Sequence, residues 1–186
     1  MGEVTQRRLL LALFVGYLVL LTWIVLWKTE APYVGEAAFL PHPFKWVPFV
    51  SNAEAGPSEP GEVVANVLLF MPFGVYLGLI ASRWRWWQSL VVFVAASLLL
   101  EIAEHYLSLG SFDSTDVIAN AAGGLAGLGV LVLARRQLGE RTAEVVTKAM
   151  AAVTVLSVIV LAVYVASPLR YEPVRDVVVS ISPSTR

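Results

Sequence analysis

Glu101, Glu104 and His105 stand at i, i+3 and i+4, the spacing that puts three side chains on one face of a helix. A short polar turn later come Asp113 and Asp116, with Asn120 four residues beyond. Asn66 lies far upstream, in a separate apolar run. These residue types suit a limited chemistry. Carboxylates accept hydrogen bonds from hydroxyls and amines or ligate Ca²⁺ and Mg²⁺, and an imidazole beside them admits Zn²⁺. A carboxyl group in a dry site can also serve as general acid or base. Glu101 is the central candidate, because it follows Leu98, Leu99 and Leu100, where a short acidic stem reaches water with difficulty. At membrane depth such a group is costly and is neutralised by a proton, a cation or several donors. Asn66 and Asn120 are the amides suited to position it. Plainer roles compete: Asp116 as a helix cap, Glu104 and His105 as solvated interfacial residues, the asparagines as interhelical hydrogen-bond partners.

Composition excludes several other chemistries. The chain has 186 residues, 58% hydrophobic and 15% charged, and no cysteine. Ordinary soluble domains carry about 25% charged residues, so the class is integral membrane. The absence of cysteine removes thiol nucleophiles and disulfides. No HExxH, no glycine-rich phosphate loop and no evident hydroxyl nucleophile appears. The second histidine, His42, lies in the proline-rich AAFLPHPFKWVPFV stretch, Ala37–Val50. No nucleic-acid partner is expected.

A bilayer core of roughly 30 Å needs about 20 helical residues. Five runs qualify: Leu9–Trp27, Val63–Ile80, Gln88–Leu107, Val117–Ala134 and Ala149–Ala166. The first reads as a retained anchor, since its apolar core is longer than that of a signal peptide and Pro32 follows Ala31. Orientation follows from the basic residues near the helix ends. Arg7, Arg8, Arg83, Arg85, Arg135, Arg136, Arg141 and Lys148 fall on one side, which is therefore inside, while most acidic residues fall on the other. The expectation is an all-α integral membrane protein: one domain spanning 1–186, a five-transmembrane-helix bundle, N-terminus inside and C-terminus outside. Small-xxx-small pairs at Gly74/Gly78 and Gly123/Gly127 point to close packing with the fourth helix central. Pro72 should kink the second helix. Ser51–Pro60 reads as a flexible link, Ala37–Val50 as an interfacial or re-entrant cover or a loop on the headgroups, and VVVSIS near the C-terminus as a short strand or loose tail. At about 1.5 Å rise per residue, Asn66, Glu101 and Asn120 come to similar depth near the outer end.

Three motifs in order carry a resemblance: Asn66-Val-Leu-Leu-Phe70-Met-Pro72-Phe-Gly74, then Ser97-xxx-Glu101, then Phe112-Asp113-xx-Asp116-xxx-Asn120-xx-Gly123, preceded by WVPF at Trp46–Phe49. Together they resemble the VanZ-like family of integral membrane proteins over a core of residues 45–130, leaving 9–27 and 149–166 as extra helices. Two positions depart from the family pattern: Glu104 stands where Gln is usual and Gly110 where Arg is usual. The resemblance implies a multi-pass protein of the plasma membrane and cell envelope. Its namesake lowers susceptibility to the lipoglycopeptide teicoplanin, so a contribution to glycopeptide antibiotic resistance is implied.

The combined expectation is an outward-facing polar pocket formed by Asn66, Glu101, Glu104, His105, Asp113, Asp116 and Asn120. It would bind an amphipathic ligand: a lipid-linked cell-wall precursor, a lipid headgroup or a lipoglycopeptide. The alternative is a membrane-embedded hydrolase or transferase acting on a lipid-linked substrate. Glu101 would then be the catalytic base, with a divalent cation on Glu101, His105 and Asp116 activating water.

Overall fold

The computed structural model describes residues 3–27, 45–50 and 58–166, and is helical almost throughout them. Five α-helices follow in order: α1 Glu3–Trp27, α2 Pro60–Ile80, α3 Trp86–Tyr106, α4 Ser114–Leu138 and α5 Thr142–Ala166. A single 3₁₀ turn, Gly139–Arg141, joins the last two. Among the described residues there is no strand beyond one isolated parallel bridge, Lys45 to Asp113. Four helical stretches are long and apolar enough to cross a membrane: Thr5–Trp27, Pro60–Ile80, Trp86–Tyr106 and Ser114–Ala166. The hydropathy pattern separated the last stretch into two runs, whereas the backbone stays helical between them, so it counts as one. His42, most of the Ala37–Val50 segment, most of the Ser51–Pro60 link and the VVVSIS tail lie outside the described residues.

Local chemistry sets the helix ends. Pro60 opens α2 at its first position, where a missing N–H costs nothing, and Glu62 follows in the positive first turn. The α3 C-terminus closes in a Schellman arrangement: Ser108 N–H donates to His105 O at 3.1 Å and Leu109 N–H to Glu104 O at 3.0 Å. Ser108 takes the left-handed conformation this requires, with φ of 55°, at a position where glycine is commoner. α4 begins about one turn ahead of Val117, because Asp113 caps it. Its carboxylate accepts the Thr115 N–H at 2.7 Å. The capping role weighed for Asp116 therefore belongs to Asp113.

The most extensive contact is between α2 and α4, and glycine makes it. A Cβ on Gly127 would lie 2.0 Å from the Met71 carbonyl oxygen, and one on Gly74 2.0 Å from that of Gly124. Backbone meets backbone there, which only small residues permit in lipid, where hydrophobicity drives little association. Beside this seam, Phe70, Phe73, Tyr76 and Phe93 are buried with Tyr17, Leu21 and Met150. The Phe73 and Phe93 rings meet edge-on at 5.2 Å. α2 runs through Pro72 as one helix. The Tyr17 hydroxyl donates to the Leu69 carbonyl, in the turn that the proline loosens.

The two ends of the bundle differ. At one, Gln6, Arg7, Leu79, Ile80, Ala143 and Thr147 border a common cavity, and Arg135 donates to the Gly78 carbonyl at 2.8 Å. The start of α1, the end of α2, the end of α4 and the start of α5 thus meet. The opposite end gathers the other helix termini and most of the candidate residues.

Candidate functional site

At that opposite end a cavity of about 270 Å³ opens between four helices. Its lining is Ile24 and Val25 from α1, Glu62, Ala65, Asn66 and Leu69 from α2, Glu101 and Glu104 from α3, and Asp116 and Asn120 from α4. Five of the seven candidates from the sequence therefore line one hollow: Asn66, Glu101, Glu104, Asp116 and Asn120. Glu101 and Asn120 are only 3% and 2% exposed. Glu62 was not singled out from the sequence, although its place one turn before Asn66 put it on the same side of α2.

Glu101 and Asn120 each have a visible support. The Asp113 backbone N–H donates to Glu101 Oε2 at 2.9 Å, so the start of α4 fixes the α3 carboxylate. Asn120 Nδ2 donates to Ser97 Oγ at 2.9 Å, and Ser97 is fully buried one turn before Glu101. Asn120 Oδ1 is buried without a hydrogen-bond partner. A buried carbonyl left unmatched costs about 1–3 kcal/mol.

Asp113 and His105 do not line the cavity. His105 is half-buried near the end of α3, its ring edge-on to Tyr106 at 6.0 Å. Asp113 instead belongs to a network just above the hollow. Its Oδ2 accepts from Lys45 Nζ at 3.0 Å and from the Ser58 hydroxyl at 3.0 Å. Ser58 also contacts Lys45 Nζ, and its oxygen lies 3.0 Å from Thr115 Oγ1. Burial works against the Asp113 charge, yet the Thr115 hydroxyl and N–H, Lys45 and Ser58 outweigh it and hold the carboxyl below the ordinary aspartate range. Backbone pairing seats the same segment: Lys45 N–H on Phe112 O at 2.9 Å, Ser114 N–H on Lys45 O at 3.1 Å. Phe49 N–H reaches Thr115 Oγ1 at 3.0 Å, with φ of 61°, an unusual value for a bulky residue. Segment 45–50 is thus strapped across the α3–α4 turn, while Trp46, Val47, Phe49 and Val50 remain exposed.

Lys45, Ser58, Thr115 and Ser97 are the supporting residues that sequence reasoning passed over. Ser97 carried a signal, the Ser97-xxx-Glu101 spacing. The other three carried none, because their contacts across the strap join residues 55 to 68 positions apart, the local pairs Lys45–Ser58 and Thr115–Asp113 excepted. Among the described residues, no three of His, Asp or Glu are grouped to hold a metal ion. The two departures from the family pattern prove to be neighbours. A Cβ on Gly110 would lie 2.3 Å from Glu104 Oε1, so the carboxylate occupies the space where a side chain at 110 would begin.

Fold and site together define a small helical membrane protein with an acidic, amide-lined hollow at one end of its bundle. The model of the VanZ/LLP1 family matches residues 14–135, and the chain belongs to that family. The match takes in most of α1, which the motifs alone had left outside the core. The chain is also similar to Protein VanZ of Enterococcus faecium, with 28% identity over 141 residues, covering 76% of this chain and 82% of that one. No solved structure matches the chain.

Proposed function

We propose that this protein is a plasma-membrane component of the cell envelope that binds an amphipathic ligand in the Asn66–Glu101–Asn120 hollow. The candidates are a lipid-linked precursor, a lipid headgroup or a lipoglycopeptide such as teicoplanin. In this reading the chain crosses the bilayer five times, Ser114–Ala166 turning back at Gly139. The N-terminus is inside, and the hollow faces out.

The observation that carries the reading is the convergence of polar side chains from three helices, distant in sequence, on one cavity at the end away from the arginines. The arginine-rich turns support the orientation, since short basic segments stay cytoplasmic. Membership of the VanZ/LLP1 family supports the envelope setting, and the resemblance to the teicoplanin-associated namesake supports the ligand class. Glu101 accepts from ligand donors, while Asn66 and Asn120 fix the geometry around it.

The test is Glu101→Gln, which keeps shape and removes charge. Expressed in a host sensitised to lipoglycopeptides, the intact protein should change teicoplanin susceptibility and the variant should lose most of that change at equal membrane abundance. Equal effects for both would overturn the assignment. The native chain has no cysteine, so single cysteines at Ser111 and Arg83 report orientation cleanly. An impermeant thiol reagent should label the first and not the second in intact cells.

A further inference from the structure

Every polar side chain in the described lining of the hollow is a carboxylate or an amide: Glu62, Asn66, Glu101, Glu104, Asp116 and Asn120. No lysine or arginine is among them. Among the described residues, the basic side chain at this end is Lys45, which is buried, engaged by Asp113 at 3.0 Å and absent from the lining. Asn120 is oriented by the bond from its Nδ2 to Ser97, which leaves Oδ1 buried and without a partner. An acceptor left over beside carboxylates calls for a donor-rich group. A phosphate or carboxylate head would add acceptors beside Glu101 and Asn120 Oδ1, which are acceptors already, and no basic side chain is among the lining residues. An ammonium has three donors and no acceptor, and matches.

An apolar groove lies beside the hollow. Ile24 borders both. The groove, of about 470 Å³, is completed by Leu156, Ser157, Val160, Leu161 and Tyr164 of α5. Head site and groove therefore meet at one side chain, as a single molecule with a polar head and a hydrocarbon chain requires.

We infer that the ligand is an amphiphile bearing a protonated amine: the ammonium sits between Glu101 and Asn120 Oδ1, and the chain passes Ile24 into the groove between α1 and α5. This deepens the ligand-binding reading above and rests on it.

The experiment uses the full chain in a neutral maltoside detergent and native mass spectrometry with dodecylamine, N-acetyldodecylamine, dodecyl phosphate and butylamine. Dodecylamine should bind at least about tenfold more tightly than the other three, a difference well within a charge-assisted hydrogen bond. Glu101→Gln and Asn120→Leu should each remove that preference. Ala65→Trp, which obstructs the hollow from α2 without touching the buried polar groups, should do the same if either variant fails to fold. Val160→Trp should weaken dodecylamine and leave butylamine unchanged. Dodecyl phosphate binding as well as the amine, and depending on Glu101, would overturn the amine assignment while leaving the hollow a ligand site. Butylamine binding as tightly as dodecylamine would assign a soluble amine and overturn the groove. Equal binding by all variants would overturn the inference, and the susceptibility test then decides the broader reading independently.

Discussion

The glycine seam between α2 and α4 and the acidic end of the same two helices solve opposite problems with neighbouring residues. In the seam nothing polar is offered by side chains. Gly74, Gly123 and Gly127 remove volume until one helix lies against the carbonyls of the other. One or two turns away, Asn66, Asp116 and Asn120 leave the helices lining an open space. Close packing holds the helices in register, and that register places polar groups from distant segments around one hollow. The seam is expected to respond first to added volume, and the acidic end first to a change of charge.

The largest effect should come from breaking the seam. Gly127→Leu places a branched side chain where even a Cβ would lie 2.0 Å from the Met71 oxygen. That obstacle is backbone, so no rotamer change relieves it. Size-exclusion chromatography of the full chain in mild detergent should show loss of the monodisperse peak. A folded protein of normal stability would mean that the helices do not approach as closely as described.

Next in size is the strap over the acidic end. Lys45 is 3% exposed and its partner Asp113 17%. Removing Lys45 leaves the half-buried Asp113 carboxylate with only the Thr115 and Ser58 donors, at a cost of about 1–3 kcal/mol. Lys45→Met should lower stability by that order in reversible detergent denaturation, and adding Asp113→Asn should recover part of it. The pH dependence has a definite sign. The folded Asp113 carboxyl titrates below its ordinary range, so its contribution is complete above the unfolded value and disappears as pH falls through the depressed folded one. Amide exchange at Lys45 and Ser114 should stay slow at pH 5 and quicken only below the ordinary aspartate value of about 3.9. Quickening already at pH 5 would separate the strap from the ion pair.

These two regions were unequally legible in the sequence. The seam announced itself, since small residues four apart in apolar runs have few other uses. The depth of Asn66, Glu101 and Asn120 was also legible, because helical rise converts sequence distance from a run's end directly into depth. The strap was not. Lys45 follows a proline-rich stretch and reads as one more outward charge, and its burial depends on a bridge to Asp113, 68 residues on. On local grounds Asp116 was the cap weighed for α4. The tertiary contacts of Lys45 and Ser58 favour Asp113 for that place and free Asp116 to face the hollow. His105, four residues after Glu101, sits half-buried in the last turn of α3 and is not among the residues that line the cavity.

The smallest effect gives the sharpest contrast, because it uses the same kind of substitution at the other end. Gly110→Ala would put a methyl group 2.3 Å from Glu104 Oε1, nearly as close as the Cβ at Gly127 comes to Met71. Here the obstacle is the far end of a flexible side chain, and that side chain borders an open hollow. The carboxylate can swing aside, so the cost should stay below about 1 kcal/mol, within the range of a simple surface change or a single rotamer adjustment. If the contact is as described, the cost is also coupled. Glu104→Ala removes the obstacle, and the double variant should lose less than the sum of the singles by about 0.5 kcal/mol or more. Strict additivity would mean that positions 104 and 110 do not touch.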